Sequence, residues 1–429
     1  MQFTDNTSVP SKRADDSGVD QIRLKVRLPT RKPPGSFSLR RITSGGRYIA
    51  QIDGLRFVAI ASVVLYHIPS VLQDNLGIRA PQGLAWAPVL NGSYGVFFFF
   101  AISGFILGLP FAQHALADGR PVCLKQYFTR RLTRLEPPYI LAVLLYFILK
   151  VRVAHAYSFH SLFPHLLATL SYTHNFIYGA RSLVSGVTWS LELEVQFYIL
   201  MPLLALVYRV KSYWLRRAGL LGMMFLLPLC AQLWPDSFIY RRTVVGVLQF
   251  FLTGLLLADL VAAGSLDWFG APSMQSNRAG RQLLLDAVAL PCWCIVFLLS
   301  KSYVLLLLPP LLLVTYLAAL RGLFFSKIFS NPILAISGGM CYSIYLYHYA
   351  VLVAVLGHLP SLKGVPGPQA VMAGAVVGLP VVALISVVFF VLIERPCMER
   401  DWVRKVGRSV SVLLSRNGAR GKANVSEHS

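Results

Sequence analysis

The sequence predicts an all-α polytopic membrane protein with about ten transmembrane helices. Apolar residues make up 55% of the 429 residues, charged residues only 14%, and the mean hydropathy is +0.60. A soluble domain carries about 25% charged residues, so this chain has too few to cover a surface in water. Apolar runs of about 20 residues, the length that crosses the ~30 Å hydrocarbon core, recur along most of the chain. Such runs must form helices, because lipid offers no hydrogen-bond partner to an open backbone.

Ten segments of the chain fit a membrane span, and an eleventh does not. In residues 158–178 the apolar run is interrupted by His165, His174 and Asn175, which predicts a re-entrant or interfacial segment rather than a span. The predicted spans are about residues 55–73, 94–112, 137–153, 188–208, 214–234, 243–262, 283–300, 303–320, 332–357 and 369–393.

The basic residues predict how these spans are oriented. The chain holds 40 Lys and Arg against 18 Asp and Glu, and its formal net charge is +22. Ten spans put both termini on one side, and most basic residues fall in the tails and the loops of that side. The positive-inside rule therefore predicts two cytoplasmic termini in the cytoplasmic (inner) membrane. In a soluble protein such a positive charge indicates nucleic-acid binding. In this membrane protein the expected partners are anionic membrane lipids, and no nucleic acid is expected.

Composition divides the chain into three regions. Residues 1–47 are polar and basic, which predicts a disordered cytoplasmic tail without a cleavable signal peptide. Residues 48–405 form the transmembrane domain, and residues 406–429 form a second basic cytoplasmic tail, with no further folded domain expected. The six cysteines lie mostly inside apolar runs, and the loop histidines lack a convincing metal-ligand spacing. Neither a metal site nor a disulfide framework is expected.

Arg56 and His67 are ionisable residues inside the first predicted span, where each is costly and a candidate for function. They are eleven residues apart, so both lie on one helix face, about 16 Å apart along the axis. This places Arg56 near the cytoplasmic surface and His67 near the middle of the membrane. Each residue also has a purely structural explanation that remains open. Arg56 could be a cation whose side chain reaches the lipid headgroups, and His67 could be a histidine that bonds a neighbouring helix.

Two further pairs of residues, one small and one basic, lie in or beside predicted spans. Ser103-Gly104 is a small pair that lets another helix or an acyl chain approach the backbone closely. Arg131 and Arg134 are three residues apart on one helix face just before a span. Arginine forks suit phosphates. The alternatives are simple packing of small residues and simple anchoring of the helix on the cytoplasmic side.

Two glutamates enter the span that begins near residue 188. Ser190, Glu194 and Tyr198 are four residues apart on one helix face, while Glu192 lies on another. A glutamate in a span is costly unless it faces a cavity or an arginine. This pattern predicts a role at a buried polar site, with purely structural pairing as the alternative.

In this order, these blocks resemble the motifs of acyltransferase family 3, the membrane O-acyltransferases. The resemblance covers about residues 48–405, and the ordered set is specific although each motif is loose. Phe97 and Val195 depart from the pattern, because the family often has an acidic residue at each position. The matching blocks are Asp53-Gly54 with Arg56 and His67, residues 95–105, Arg131 with Arg134, residues 186–198, residues 341–348 and residues 394–396.

The resemblance implies transfer of an acyl group, most often acetyl, from cytoplasmic acyl-CoA to a hydroxyl. The acceptor that the resemblance implies is an extracytoplasmic glycan or a lipid-linked saccharide. Acetyl-CoA is then a co-substrate, and no bound cofactor is expected. A secondary transporter or acyl exporter would also place ionisable residues in mid-membrane, but it would favour broken helices in matched halves. A structural or lipid-binding protein and an enzyme that acylates a small lipid or antibiotic are further alternatives.

The resemblance also assigns roles to individual residues. His67 is expected to be the general base or a transient acyl acceptor, and Glu194 to orient His67 or stabilise its imidazolium form. The donor phosphates are assigned to Arg56, Arg131 and Arg134. Tyr345 and His348 are assigned to acceptor or oxyanion contacts. The full set of acceptor-binding or supporting residues is Asp53, Ser103, Ser190, Tyr345 and His348.

Overall fold

The structure, a computed structural model, describes residues 39–42, 48–265, 278–399 and 402. The predicted tails, residues 1–47 and 406–429, lie almost entirely outside these ranges. Regular secondary structure in the described residues is helical, as the composition predicts. The helices are α1 Ala50–Leu76, α2 Ala87–Leu90, α3 Gly95–Leu116, α4 Leu124–Ile148, α5 Phe159–Leu170, α6 His174–Tyr178, α7 Trp189–Leu204, α8 Tyr213–Leu233, α9 Phe238–Arg242, α10 Leu248–Ala262, α11 Arg278–Val296, α12 Lys301–Arg321, α13 Phe324–Phe329, α14 Pro332–Gly339, α15 Cys341–Leu356, α16 Gly367–Phe389 and α17 Arg395–Cys397.

The prediction of about ten membrane spans is confirmed. Within the described ranges, nine helical segments are long and apolar enough to cross a membrane, and α14 with α15 makes a tenth, broken span. The two halves of that span meet at 69°, which the sequence did not indicate. By contrast, α5 and α6 are only 12 and 5 residues long, too short to cross. The placement of both termini in the cytoplasm stays a prediction.

The centre of the bundle is the contact between α3 and α10. A Cβ atom on Gly104 would lie 2.1 Å from the carbonyl oxygen of Phe251, and one on Gly254 would lie 2.1 Å from that of Ala101. The two helix backbones therefore touch, which only glycine at these positions allows. Aromatic rings fill the space beside this contact, including Phe197 stacked on Phe251 with centroids 3.9 Å apart. The Ser103-Gly104 pair thus serves close helix packing, as one reading of the sequence predicted.

A second close contact holds α14 against the start of α1. A Cβ atom on Gly338 would lie 1.7 Å from the backbone oxygen of Asp53. The chain bends immediately after Gly338, and α15 then runs beside α1. This path brings Tyr345 and His348 of α15 to the helix that carries His67.

The outer surface of the bundle is apolar. Large aliphatic side chains such as Ile199, Val376 and Leu384 are exposed on it. In a chain whose helices are long enough to span a bilayer, these side chains face the acyl chains of the lipids.

Replacing Gly104 by alanine is expected to destabilise the bundle, because the new Cβ would overlap the backbone of α10. Overpacking of this kind costs roughly 1–3 kcal/mol. The matched control is Gly222→Ala in α8, where a Cβ meets no atom within 4 Å. Thermal unfolding of the purified protein in detergent measures both. Equal melting temperatures for the two variants would contradict the packing described.

Candidate active site

A cavity of about 670 Å³ lies between α1, α3, α4, α7 and α15. Its volume is within the roughly 300–1,000 Å³ of small-molecule sites. It brings together most of the residues that the sequence singled out. The predicted site residues that line it are Arg56, Ser103, Arg131, Arg134, Ser190, Glu194 and Tyr345. Asp53, His67 and His348 do not line it, but each contacts a residue that does or lies beside one.

Asp53 holds Arg56 at the wall of the cavity. The Asp53 carboxylate is fully buried and accepts hydrogen bonds from Arg56 Nη1 at 2.8 Å and from Arg41 Nε at 2.7 Å. Arg56 is therefore a paired residue of the bundle, and the alternative of a cation that only reaches for the headgroups is wrong. Asp53 thereby positions the side chain of Arg56, and a supporting role in function stays a prediction.

Arg41 is one of the four residues of the predicted tail, 39–42, that the structure describes, while the disorder of residues 1–47 stays a prediction. Its side chain is only 11% exposed, because it packs onto the start of α1 to pair with Asp53. Burial, followed by the neighbouring charge of Arg56, lowers the pKa of Arg41 to about 10, so it remains charged at neutral pH. Polar composition gave no signal for this contact, since the partner lies on a different element.

Arg131 and Arg134 place guanidinium groups at the end of the cavity nearest to Arg56. Arg131 donates to the Tyr127 carbonyl oxygen at 2.7 Å, and its guanidinium lies 3.7 Å from the centroid of the Tyr127 ring. The Nε atoms of both arginines are buried and have no hydrogen-bond partner among the described residues. Buried donors are nearly always satisfied, so these two are available to water or to a ligand in the cavity.

Glu194 does not have the partner that was expected for it. Its Oε1 accepts a hydrogen bond from Ser103 at 2.5 Å, and Tyr198 bonds to the same carboxylate. Tyr198 lies one helical turn further along α7, and α3 delivers Ser103, so the carboxylate is occupied inside the cavity. The predicted contact between Glu194 and His67 is therefore wrong, because helix faces alone do not determine which helices meet.

The ring that meets His67 is His348. Nε2 of His348 lies 3.2 Å from Nδ1 of His67, and the ring centroids are 5.0 Å apart. Nδ1 of His348 lies 2.8 Å from the Tyr345 carbonyl oxygen, and Nδ1 of His67 lies 2.9 Å from that of Val63. Carbonyl oxygens only accept, so both neutral rings carry their proton on Nδ1. His67 then donates to Val63 and His348, and its Nε2 keeps a free lone pair.

This pairing also corrects the roles predicted for His348 and Tyr345. Nε2 of neutral His348 has no proton to give to an oxyanion, since it accepts from His67. The Tyr345 hydroxyl donates to the Val187 carbonyl oxygen at 2.5 Å and accepts from Ser190 Oγ at 2.5 Å. Its one proton is therefore in use. Ser190 and Tyr345 close the cavity at the end nearest to the two histidines.

The two departures from the family pattern have a physical explanation. Phe97 stacks on Phe250 with ring centroids 4.3 Å apart, so an apolar pair fills the place where an acid is often found. Val195 lines the cavity beside Glu194 and removes one negative charge from its wall.

Two residues of the site were missed or interpreted differently in the sequence. Tyr127 carries Arg131 on its ring, and its position four residues before Arg131 is the signal that could have found it. Glu394, interpreted as a structural charge, lines the cavity and accepts hydrogen bonds from Ser343 N at 2.9 Å and Oγ at 2.6 Å. In the part of the chain that the structure describes, no three His, Cys, Asp or Glu residues form a group that could hold a metal ion.

Comparison with known proteins places the chain in a family. Residues 49–394 match the acyltransferase domain of acyltransferase family 3. The peptidoglycan O-acetyltransferase OatA of Listeria monocytogenes is 26% identical over 348 residues, which cover 73% of this chain and 51% of that protein. A Bacillus subtilis protein provisionally named as a peptidoglycan O-acetyltransferase is 27% identical over 342 residues, 72% of this chain and 50% of its own.

A Staphylococcus aureus protein provisionally named as an O-acetyltransferase is 24% identical over 337 residues, 71% of this chain and 51% of its own. The chain thus spans about half the length of the curated relatives it matches. No solved structure matches it. Since the family's domain covers most of the sequence and its motifs surround one cavity, the chain belongs to acyltransferase family 3, as an all-α protein with multiple membrane-spanning helices.

Proposed function

We propose that this protein is an O-acyltransferase of the cytoplasmic membrane. It moves an acyl group, acetyl in the first instance, from cytoplasmic acyl-CoA to a hydroxyl of an extracytoplasmic glycan or lipid-linked saccharide. The observation that carries the proposal is a single cavity with arginines at one end and Ser190 and Tyr345, next to the histidine pair, at the other. The names of the relatives, two of which refer to peptidoglycan, support an acetyl group and a glycan.

The arginine end of the cavity suits the donor. Coenzyme A carries a diphosphate and a 3′-phosphate, and the unpartnered Nε atoms of Arg131 and Arg134 are donors that phosphate oxygens would satisfy. Arg56, held by Asp53, adds a third cation to the same wall. With the phosphates there, the pantetheine arm extends along the cavity toward Ser190 and Tyr345.

The histidine pair supplies the proton chemistry. Nε2 of His67 accepts the proton of the acceptor hydroxyl as its oxygen bonds to the thioester carbonyl carbon. The carbon–sulfur bond then breaks, and the thiolate takes the proton from His67, so coenzyme A leaves as the thiol and the ring returns to its neutral form. While His67 is protonated, the hydrogen bond from its Nδ1 to His348 Nε2 becomes charge-assisted and stronger.

Glu194 takes a different role from the one first expected. Its hydrogen bond fixes the Ser103 hydroxyl on the cavity wall, close to Tyr198 and Arg131. The carboxylate thereby balances part of the positive charge at the donor end. It is a positioning residue of the donor site rather than a partner of the base.

The proposal is tested by acyl transfer from radiolabelled acetyl-CoA, with the purified protein reconstituted in lipid. His67→Ala is expected to lower transfer at least about 100-fold, since positioned general bases contribute roughly 10²–10⁴-fold. The matched control is His358→Ala, an exposed histidine just after α15. Wild-type protein that transports acetyl-CoA or its acyl group without transferring it would support a transporter instead. Equal activity of the two variants would remove His67 from the mechanism.

His348 is expected to act by orienting His67. His348→Leu removes the acceptor for the His67 Nδ1 proton and should lower kcat about 10–100-fold, the usual cost of losing a hydrogen bond that orients a functional histidine. His348→Gln offers an amide oxygen in a similar place and should restore part of kcat, with KM for acetyl-CoA unchanged in both. An equal loss in the two variants, or a loss in KM alone, contradicts the orienting role.

Arg131 and Arg134 are expected to set the affinity for the donor. Removing a hydrogen bond to a charged group costs about 1.5–3 kcal/mol, so Arg131→Gln or Arg134→Gln should raise KM for acetyl-CoA roughly 10–100-fold. Acetyl-dephospho-CoA, which lacks the 3′-phosphate, identifies the arginine that binds that group, because its variant would no longer discriminate against the analogue. The control is Arg209→Gln, an exposed arginine that does not line the cavity. The same rise in KM for the control would show only a general effect of positive charge.

A further inference from the structure

A second cavity, of about 300 Å³, lies at the end of the bundle where α7 begins. We call this end the loop end, because the segments between α4 and α7 and between α8 and α10 lie there. It is the end opposite to Arg56, since the successive spans alternate in direction. The polar and aromatic residues that line this second cavity are Asn175, Arg181, Trp189, Tyr240, Arg241 and Thr243.

Buried hydrogen bonds hold the walls of the second cavity in place. The carboxylate of Glu192, which is 3% exposed, accepts from the backbone nitrogens of Asn175 at 2.7 Å and Phe176 at 2.9 Å. This ties α6 to α7. Gln196 accepts from the backbone nitrogen of Val244 at 2.8 Å, which ties the segment after α9 to the same helix. The cavity is therefore formed by a fixed framework rather than by loose loops.

The lining combines the two kinds of group that bind sugars. Trp189 and Tyr240 line the cavity with aromatic rings, a type of side chain that packs against the C–H groups of a sugar. The Asn175 amide donates one hydrogen bond to the Arg242 carbonyl oxygen at 3.3 Å and keeps a second N–H and its oxygen for a hydroxyl. A cavity of about 300 Å³ is at the lower end of the size range of ligand sites and suits one or two rings rather than a polymer.

The charge of the lining is positive. Arg181 and Arg241 line the cavity, and none of the lining residues is an Asp or Glu. Arg241 pairs with Asp236 at 2.9 Å, but that pair is 64% and 91% exposed and so is weak. Arg181 has no ion pair in the described ranges. It does interact electrostatically with His67 and Tyr345, which connects this cavity to the histidine pair.

We propose that the second cavity is the acceptor subsite and that it binds a saccharide bearing an anionic group, a carboxylate or a phosphate, on Arg181. This inference rests on the proposed function, since it names the class of acceptor. Arg181 supplies the guanidinium fork that such oxygens favour. Trp189 and Tyr240 hold the ring, and the neighbouring hydroxyl is presented toward His67.

The subsite is tested by binding to the full-length protein in nanodiscs of phosphatidylcholine, with no donor present. The probes are a disaccharide of N-acetylglucosamine and glucuronic acid, the same disaccharide with the carboxylate converted to a primary amide, a 6-phosphorylated neutral disaccharide, and glycerol phosphate. The wild type is expected to bind at least one anionic disaccharide at least ten times more tightly than the amide. Arg181→Gln should remove this preference and leave the affinity for the amide within about twofold. Arg181→Lys should retain part of it.

Arg79→Gln is the matched control, an exposed arginine just after α1 that lines neither cavity. The proposal is overturned if the wild type does not discriminate against the amide, or if the Arg79 variant loses as much as the Arg181 variant. It is also overturned if glycerol phosphate binds as tightly as the phosphorylated disaccharide, because the cavity would then recognise a lipid headgroup. Acetyl transfer to the same acceptors separates the two proposals. Selective binding without transfer contradicts the enzyme assignment, and transfer without anion selectivity contradicts the subsite.

Discussion

The buried carboxylate of Asp53 is the interaction on which the arginine end of the protein depends. A carboxylate in a low-dielectric interior is tolerated only with a cationic partner, and Asp53 has two, Arg41 and Arg56. One of these reaches in from the segment before α1, and the other lines the large cavity. The backbone oxygen of Asp53 also lies where α14 packs most closely, at Gly338. One residue thus fixes the entry of the chain into the bundle, the side chain of a cavity arginine and the approach of the broken span.

The broken span, α14 with α15, brings a second set of polar residues against α1. Because α14 is held against the first turns of α1 and the chain then bends by 69°, α15 lies along the second half of α1. His348 is buried there against His67, and Tyr345 is fixed by Val187 and Ser190. Most polar groups in this region are paired within the protein, as a hydrocarbon environment favours, but the buried Tyr347 hydroxyl has no hydrogen-bond partner among the described residues. At the arginine end of the large cavity, the buried Nε atoms of Arg131 and Arg134 likewise have no hydrogen-bond partner among the described residues.

The sequence predicted what depends on the local run of residues, and it failed where helices had to be matched to one another. The length of each apolar run identified the spans, and the (i, i+3) and (i, i+4) spacings correctly placed Arg131, Arg134, Ser190 and Glu194 on faces that line a cavity. Nothing local could show that Glu194 bonds to Ser103 or that His67 meets His348, since each pair joins distant elements. The sequence also gave no sign of the second cavity, because its walls come from three separate stretches of the chain, within 175–181, 189–193 and 240–247. The bend after Gly338 had no signal beyond adjacent glycines in an apolar run.

The pairing of His67 with a second neutral ring has a consequence for the membrane itself. A histidine beside a carboxylate goes from net negative to net neutral when it takes up a proton, whereas two neutral rings acquire a full positive charge. Inside an apolar helix bundle that charge is expensive, so the uncharged form of the pair is favoured. A cell that stores energy as a proton gradient requires this of any protein with a polar path through its membrane. The neutrality of the two rings therefore opposes leakage of protons along the gradient across the bundle.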